Sequence, residues 1–243
     1  MKNLKISRFL SFNILLNNFI KFSSPKFNFE CNNNSLTVRP IIAAIAAIDE
    51  GKLYGILGSS GSGKTTFLSL IAGLDTPKSG DIYYEGKSLK KIGLTRYRNE
   101  CVSIVFQSYN LLPYLSALDN ITAALEITHS KKANRKEYAL EMLQKVGIDT
   151  EMAKKNVQHL SGGQQQRVAI VRAMCCDARL VVADEPTGNL DEQNSLEIIR
   201  LFKQLAHEQN KCVIVITHEK EIAEQCDTVL ELKSKNMHVI KSS

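Results

Sequence analysis

The stretch between residues 58 and 66 constrains this chain more than any other. It reads Gly58-Ser59-Ser60-Gly61-Ser62-Gly63-Lys64-Thr65-Thr66, and it lies between the apolar runs 53–57 and 67–72. A strand, a glycine-rich loop and a helix in this order match the pattern G-x-x-x-x-G-K-[ST]. Glycines let successive backbone N–H groups face one anion, and the helix N-terminus adds partial positive charge. A glycine-serine turn with an incidental lysine is the alternative, but the flanking elements favour a phosphate-binding loop.

The side chains of this loop predict a nucleotide and a metal ion. Lys64 can reach the β- and γ-phosphates, and Thr65 offers a hydroxyl to Mg²⁺. A carboxylate pair, Asp184-Glu185, follows the apolar run 180–183. The carboxyl end of a buried strand is where open α/β sheets bind ligands. Asp184 is therefore expected to hold Mg²⁺, directly or through water, and Glu185 to accept a proton from an attacking water.

The pattern of apolar runs predicts an α/β fold. Short continuous runs at 53–57, 180–183 and 212–216 are typical of strands that are covered on both faces. Further strands are expected at 81–84 and 102–106, with helices at 67–72 and 164–174. Strands that alternate with helices form a largely parallel sheet. Residues 107–160 are expected to be mostly helical, with the clearest periodicity between 133 and 146, and to form an inserted sub-domain.

A further motif relates the sequence to one particular protein family. The run Leu160-Ser161-Gly162-Gly163-Gln164-Gln165-Gln166-Arg167 resembles the signature motif of ABC-type ATPases. Other elements of that family lie around it in the family's order: Gln107 after a strand, Gly188-Asn189-Leu190-Asp191 after the Asp184 strand, and His218 after the 212–217 run. The resemblance covers roughly residues 20–240.

The resemblance implies a P-loop ABC ATPase cassette. Its core sheet is expected to be mixed and largely parallel, with an antiparallel β sub-domain and an inserted helical sub-domain at about 107–160. The ATPase domain is expected to span residues 20–243, and residues 1–19 to form a basic N-terminal extension. The 25 residues after His218 (243 − 218) are expected to leave no room for a fused membrane domain.

The resemblance also implies roles for individual residues. ATP is expected at residues 58–66 of one chain and at the signature of a second chain, in a head-to-tail dimer. Ser161, Gly162, Gly163 and Gln164 supply that second contact, together with Asp191. Glu185 acts as the base or orients the water, His218 contacts the γ-phosphate, and Gln107 joins metal and water to the membrane-facing groove. The implied Mg²⁺ ligands are Thr65, Gln107 and Asp184.

The aromatic residue that stacks on adenine in this family is less defined. Phe29 is the candidate because it lies 35 residues before Lys64 (64 − 29), a spacing that suits the family. Phe22 and Phe27 are rivals, and any of the three could pack in the core instead. Residues 20–22 can be placed on the family's first strand, although Pro25 would interrupt a longer strand unless it lies at an edge or bulge.

Several stretches resemble one branch of the family. Residues 72–77, 110–113, 118–120, 160–169 and 184–191 are similar to the ATP-binding subunits of lipoprotein-release, macrolide-export and antimicrobial-peptide-export transporters and to a cell-division relative. The branch implies an ATPase subunit that powers a separate membrane permease, for export or extraction of a lipophilic or peptide cargo. Such a subunit is cytoplasmic and peripheral on the inner face of the cell membrane. A non-transport ABC ATPase, of the cell-division kind or acting on nucleic acid or ribosomes, and a degenerate regulatory module are the alternatives.

The charge distribution argues against a nucleic-acid partner. The net charge is +6, but residues 1–40 hold six basic residues and one acid (6 − 1 = +5), which leaves 25 − 24 = +1 for residues 41–243. A nucleic-acid-binding domain usually carries its excess charge on the folded body. The arm also has phenylalanines at helical spacing, so membrane contact, packing on its own domain and disorder all remain open for it. The six cysteines show no metal-binding spacing and are expected to be free thiols in a reducing cytosol.

Overall fold

Nine strands and nine α-helices make up the part of the chain that the computed structural model describes, namely residues 20–23, 49–77, 81–233 and 236–242. The strands are β1 (Ile20–Ser23), β2 (Leu53–Leu57), β3 (Asp81–Tyr84), β4 (Lys87–Ser88), β5 (Val102–Val105), β6 (Leu180–Asp184), β7 (Cys212–Thr217), β8 (Thr228–Lys233) and β9 (Asn236–Ser242). The helices are α1 (Lys64–Ile71), α2 (Leu89–Ile92), α3 (Leu94–Glu100), α4 (Ala117–Ile127), α5 (Arg135–Lys145), α6 (Thr150–Lys154), α7 (Gly162–Cys175), α8 (Glu192–His207) and α9 (Lys220–Glu224). The basic extension 1–19, Phe27 and Phe29 lie outside the described residues.

The central sheet has six strands in the order β5-β6-β7-β2-β8-β9. The first five run parallel, and β9 pairs antiparallel with β8. Every residue of β2 and β7 is buried, as expected for strands covered on both faces. The prediction of a mixed, largely parallel core sheet is confirmed.

Two apolar clusters cover the two faces of this sheet. One contains Val213 and Val215 with Phe202 of α8, and the other contains Ile214 and Ile216 with Phe67 of α1. Successive side chains of a strand point to opposite faces, so the single run of β7 serves both clusters. Helices therefore pack on both faces of one sheet, and the loops that follow its strands lie at its edges.

A second, smaller sheet is antiparallel, in the order β1-β3-β4. Ile20 is paired with Tyr84, and Ser23 with Asp81. The β3–β4 hairpin turns through Glu85 and Gly86, both at positive φ (48° and 73°), which is the conformation of a type I′ turn. The predicted antiparallel β sub-domain is confirmed, and β1 begins where the sequence placed the first strand.

The segment between β5 and β6 carries α4, α5, α6, a short 3-10 helix (Val157–His159) and α7. Side chains of Ser116, Asp149 and Ser161 cap α4, α6 and α7. The helix predicted within 133–146 is found as α5. The first ten residues of the block 107–160, expected to be mostly helical, form loops instead, because α4 begins only after its cap at Ser116.

Two predicted helices begin earlier than the apolar pattern indicated. Helix α1 starts at Lys64 rather than at residue 67, and α7 starts at Gly162 rather than at residue 164. In each case the first turn consists of glycine or polar residues, Lys64-Thr65-Thr66 in α1 and Gly162-Gly163-Gln164 in α7, so hydrophobicity did not mark it. Within the described residues, no helix combines the length and the apolar character needed to cross a membrane.

Candidate active site

The loop between β2 and α1 has the backbone of an anion-binding cradle. Gly61 and Gly63 have φ angles of 74° and 106°, a region that side chains other than glycine rarely adopt. A Cβ at Gly61 would meet no atom within 4 Å, so the loop is open on that side. The Lys64 Nζ donates to the carbonyl oxygens of Gly58 at 2.8 Å and Ser59 at 3.2 Å. Its ammonium therefore lies inside the curve of the loop.

A cavity of about 750 Å³ adjoins this loop. Its walls come from three strand ends: the loop after β2, the residue after β6 and the residue after β7. They are Ser59, Ser60, Gly61, Gly63, Lys64, Thr65, Thr66, Glu185 and His218. The carboxyl ends of the parallel strands β6, β7 and β2 meet at one edge of the sheet, which brings these distant sequence positions together.

Glu185 is the centre of the charged groups in this cavity. Its Oε1 atom lies 3.7 Å from the Lys64 Nζ and 3.2 Å from the His218 Nδ1. The backbone of Glu185 is left-handed, with φ 43°, and its N–H donates to the Ile216 carbonyl at 2.8 Å. A non-glycine residue held in this conformation is strained, and such strain is concentrated at functional sites. The arrangement places a carboxylate, an ammonium and an imidazole around one opening.

Asp184 lies at the end of β6, next to Glu185 in the chain. Burial, and then the negative charge of Glu185, raise the pKa of its carboxyl, while Lys64 opposes the rise. Thr65 lines the cavity, but of the residues described, neither Asp184 nor Gln107 does. No group of three or more His, Cys, Asp or Glu in the described part of the chain could hold a metal. One carboxylate with one hydroxyl instead suits Mg²⁺, which completes its shell with water and substrate phosphates.

Gln107 lies two residues beyond β5 and packs against the chain that follows Glu185. Its carbonyl accepts a 3.4 Å hydrogen bond from the Asn189 Nδ2. A Cβ at Gly188 would come within 2.9 Å of the Gln107 Nε2, so only glycine fits there without a shift. The structure thus joins Gln107 to the Gly188–Asn189 turn rather than to the cavity.

The signature residues begin α7. The Ser161 Oγ accepts from the Gln164 N–H at 3.3 Å, and the Gln164 Oε1 accepts from the Ser161 N–H at 2.9 Å, which together form a capping box. Asp191 caps α8: its carboxylate accepts from the Asn194 N–H at 2.9 Å and from the Asn194 Nδ2 at 2.7 Å, and these two bonds lower the pKa of its carboxyl. Within one chain, neither Asp191 nor the turn 161–164 lines the cavity among the described residues.

Two buried contacts around the site were not anticipated from the sequence. The fully buried Gln166 donates from Nε2 to the Pro186 carbonyl at 2.8 Å, which ties α7 to the peptide after Glu185. The buried Thr187 donates from Oγ1 to the Glu219 Oε1 at 2.9 Å, next to His218. Gln166 lies within the run 160–167 and Thr187 within the stretch 184–191. Apart from this position, nothing in the sequence indicated these two contacts.

Known proteins resemble this chain along most of its length. The family described as ABC transporter matches residues 45–188. A Bacillus subtilis (strain 168) protein named "Uncharacterized ABC transporter ATP-binding protein YclH" is 58% identical over 197 residues, which cover 81% of this chain and 87% of that protein.

Solved structures agree with this similarity. The dimeric structure of MJ0796, described as a bacterial ABC transporter cassette, has a TM-score of 0.78 and 31% identity, covering 92% of this chain and 100% of that chain. A post-hydrolysis dimer of MJ0796 bound to ADP and Pi matches with a TM-score of 0.78, 30% identity and the same coverage. The cbiO1 structure from Clostridium perfringens, at 23% identity, a TM-score of 0.76 and coverage of 92% of this chain and 88% of that one, shares the fold.

Proposed function

This chain belongs to the ABC transporter family and is the ATP-binding, ATP-hydrolysing subunit of such a transporter, and on that basis we propose how its own residues carry the reaction. The phosphate chain of ATP lies in the loop 58–66, with the Lys64 ammonium on the β- and γ-phosphates. Glu185 orients the attacking water or takes its proton, and His218 contacts the γ-phosphate. The observation that supports this most is the position of the Glu185 carboxylate, 3.7 Å from Lys64 and 3.2 Å from His218 at the cavity.

Mg²⁺ is the metal that this donor set suits. Thr65 and Asp184 offer oxygen ligands, and Gln107 is the third proposed ligand. When bound, the ion would neutralise charge on the phosphates during transfer. Gln107 packs on Gly188 and Asn189, so we propose that it approaches the metal only when the loop that carries it shifts.

The second ATP contact comes from another copy of the chain. The turn 161–164 has its N–H groups at the start of a fourteen-residue helix, a favourable place for an anion. Together with Asp191 it lies outside the cavity of its own chain, so we propose that it faces the γ-phosphate in a partner's loop. The dimers described for MJ0796 are consistent with this arrangement.

The transported substrate and direction follow from the resemblance alone. We propose a permease of the export or extraction kind, acting on a lipophilic or peptide cargo, with this subunit bound at the cytoplasmic face of the membrane. Residues 20–243 would form the ATPase domain, with the helical sub-domain near 107–160. Residues 1–19 would form a separate basic extension, and Phe29 would stack on adenine.

Replacing Glu185 by Gln tests the proposed chemistry. Glu185→Gln removes the base while it keeps the size of the side chain, so ATP binding should persist and turnover should fall at least 100-fold, about 3 kcal/mol of barrier. The control is Glu208→Gln, an exposed carboxylate outside the cavity. Steady-state ATPase assays and size-exclusion chromatography with Mg-ATP would measure both effects. Full turnover in Glu185→Gln would rule out the role given to Glu185.

A further inference from the structure

The loop between β5 and α4 is held at its two ends by different parts of the molecule. At its start, Gln107 contacts Gly188 and Asn189, which follow the β6 strand of the central sheet. From Tyr109, two residues later, the contacts are with helices of the inserted segment. The loop therefore spans the junction between the nucleotide cavity and those helices.

The later part of the loop is bound to α7 and α4. The guanidinium of Arg172 in α7 donates from Nη1 to the Asn110 carbonyl at 2.7 Å and from Nη2 to the Tyr109 carbonyl at 3.0 Å. Asn120 of α4 is buried, accepts from the Leu112 N–H at 2.7 Å and donates back to the Leu112 carbonyl at 3.2 Å. Four hydrogen bonds thus attach residues 109–112 to the two helices.

The backbone at the attachment point is strained. Tyr109 and Asn110 have φ angles of 62° and 46°, a conformation that non-glycine residues avoid unless surrounding contacts impose it. The fork of Arg172 is such a contact, because one planar guanidinium binds both carbonyls at once. The same loop approaches the other end of α7, where a Cβ at Gly162 would lie 3.1 Å from the Tyr109 hydroxyl.

We propose that Arg172 is a positioning residue that fastens the loop bearing Gln107 to α7, so that Gln107 and the signature turn 161–164 move as one unit. This rests on the proposed function of Gln107 and of the signature. Without the two hydrogen bonds of the guanidinium, the backbone of residues 109–110 leaves its left-handed conformation. A displacement of α7 is then no longer transmitted to Gln107. Arg172 touches neither nucleotide nor metal; it acts through the loop.

The test compares Arg172→Met with Arg98→Met. Arg98 of α3 and Arg172 of α7 both line one surface groove. Like Arg172, Arg98 donates to a backbone carbonyl, that of Gly73 at 2.6 Å, but it does not donate to the loop 107–112. Three quantities are measured on the purified full chain: the KM and kcat for Mg-ATP, amide hydrogen exchange, and the melting temperature. Arg172→Lys is the conservative variant, since a single ammonium keeps the charge but not the fork.

Arg172→Met should lower kcat at least tenfold and leave KM within twofold, because the loop 58–66 is untouched. Amide exchange should rise at least tenfold in residues 107–112 and stay unchanged in residues 58–66. Arg172→Lys should be intermediate in both readouts, and it carries the test alone if Arg172→Met does not fold. Arg98→Met should match the wild type in the exchange of residues 107–112.

Several outcomes would overturn the inference. Exchange at 107–112 that is equal in Arg172→Met and Arg98→Met would show that the fork does not hold the loop. A fall in kcat matched by an equal fall in melting temperature for both variants would indicate a general loss of packing. A wild-type chain without ATPase activity would instead refute the proposed function, while the exchange measurement would still decide whether Arg172 holds the loop.

Discussion

At the scale of single residues, the site depends on close approaches that only particular side chains allow. Gly58 is the tightest of them, since a Cβ there would lie 2.6 Å from the Ser62 Oγ and 3.0 Å from the Leu232 carbonyl oxygen. The Ser62 Oγ is buried and has no hydrogen-bond partner among the residues that the structure describes. The space at the base of the loop is therefore filled, and the loop cannot accept even a methyl group without moving.

Gly58→Ala should lower the affinity for Mg-ATP at least tenfold, because the loop must shift away from its cradle geometry. Ser62→Ala alone should have little effect, since its hydroxyl makes no hydrogen bond. The double variant should recover part of the lost affinity, because the nearest colliding atom is gone and neighbouring mutations couple. Titration with a fluorescent ATP analogue would measure all three. Strictly additive losses would contradict the assigned collision.

At the scale of elements, two helices that carry site residues are held at their C-terminal ends by buried side chains. The Tyr97 hydroxyl donates to the Ile71 carbonyl at 2.7 Å, at the last residue of α1. The Lys211 Nζ donates to the carbonyls of Met174 at 3.1 Å and Cys176 at 2.8 Å, at the end of α7. Carbonyls at a helix end lack partners within the helix, so these donors satisfy them.

Tyr97→Phe should lower the free energy of unfolding by about 1–3 kcal/mol, because the buried Ile71 carbonyl loses its donor. The edge-to-face contact of this ring with Tyr84, at 5.4 Å between centroids, would be retained. The control is Tyr114→Phe, at a side chain that is 72% exposed. Urea unfolding would measure both, and equal stability of the two variants would refute the role of the hydroxyl.

Lys211 also makes stability depend on pH. Burial lowers the pKa of its ammonium from 10.5 to about 8. Between these two values the unfolded chain binds more protons than the folded chain, so the contribution of this residue to stability rises with pH. Relative to Lys211→Met, the wild type should therefore gain about 2 kcal/mol in unfolding free energy between pH 7 and pH 9.5.

Urea unfolding of both proteins at the two pH values would measure this gain, since the difference between them cancels the titrating groups that do not interact with Lys211. The control is Lys203→Met, at a half-buried lysine whose ammonium donates to the Gln225 Oε1 at 3.4 Å. That control should show no such trend. A wild-type advantage that shrinks as the pH rises would contradict the assignment.

At the scale of the whole molecule, the two proposed halves of the ATP site in one chain do not meet. The loop 58–66 and Glu185 lie at the cavity, whereas the turn 161–164 lies at the start of α7 and outside the cavity lining of the described residues. Helix α7 is joined to the peptide that follows β6 by the hydrogen bond from the Gln166 Nε2 to the Pro186 carbonyl. A second copy is the simplest way to complete both.

Mixing two inactive variants tests this arrangement. Lys64→Ala removes the ammonium from one half, and Ser161→Arg blocks the other half with a bulky side chain. Each should lose nearly all ATPase activity alone. Mixed in equal amounts, they should regain a measurable fraction, because a mixed dimer has one site with an intact loop 58–66 and an intact turn 161–164. No recovery from a mixture shown to form mixed dimers would exclude a shared site.

The local parts of the site could be predicted because each is defined by residues that are adjacent in the chain. The loop 58–66 and the buried strands β2, β6 and β7 follow from spacing and polarity within a few positions. The helix starts at Lys64 and Gly162 were missed because their first turns are polar. The loop 107–116 was assigned to a helical block although it is not helical: Tyr109 and Leu111 pack against the core, whereas Leu112 and Tyr114 are exposed, and no local pattern distinguishes these residues from those of a helix.

The sequence by itself determined the chemistry available to this protein: a phosphate loop, a carboxylate pair and an ordered set of family motifs, each defined by residues close in the chain. The tertiary structure alone decided that Glu185 meets both Lys64 and His218. That depends on the strand order β6-β7-β2, in which Leu180 of β6 pairs with Cys212 of β7, and Val213 of β7 pairs with the distant Leu53 of β2. Which strands pair across the sheet depends on how completely the pairing buries the apolar faces of those strands. No local pattern of residues therefore encodes the distances of 3.7 Å and 3.2 Å at this site.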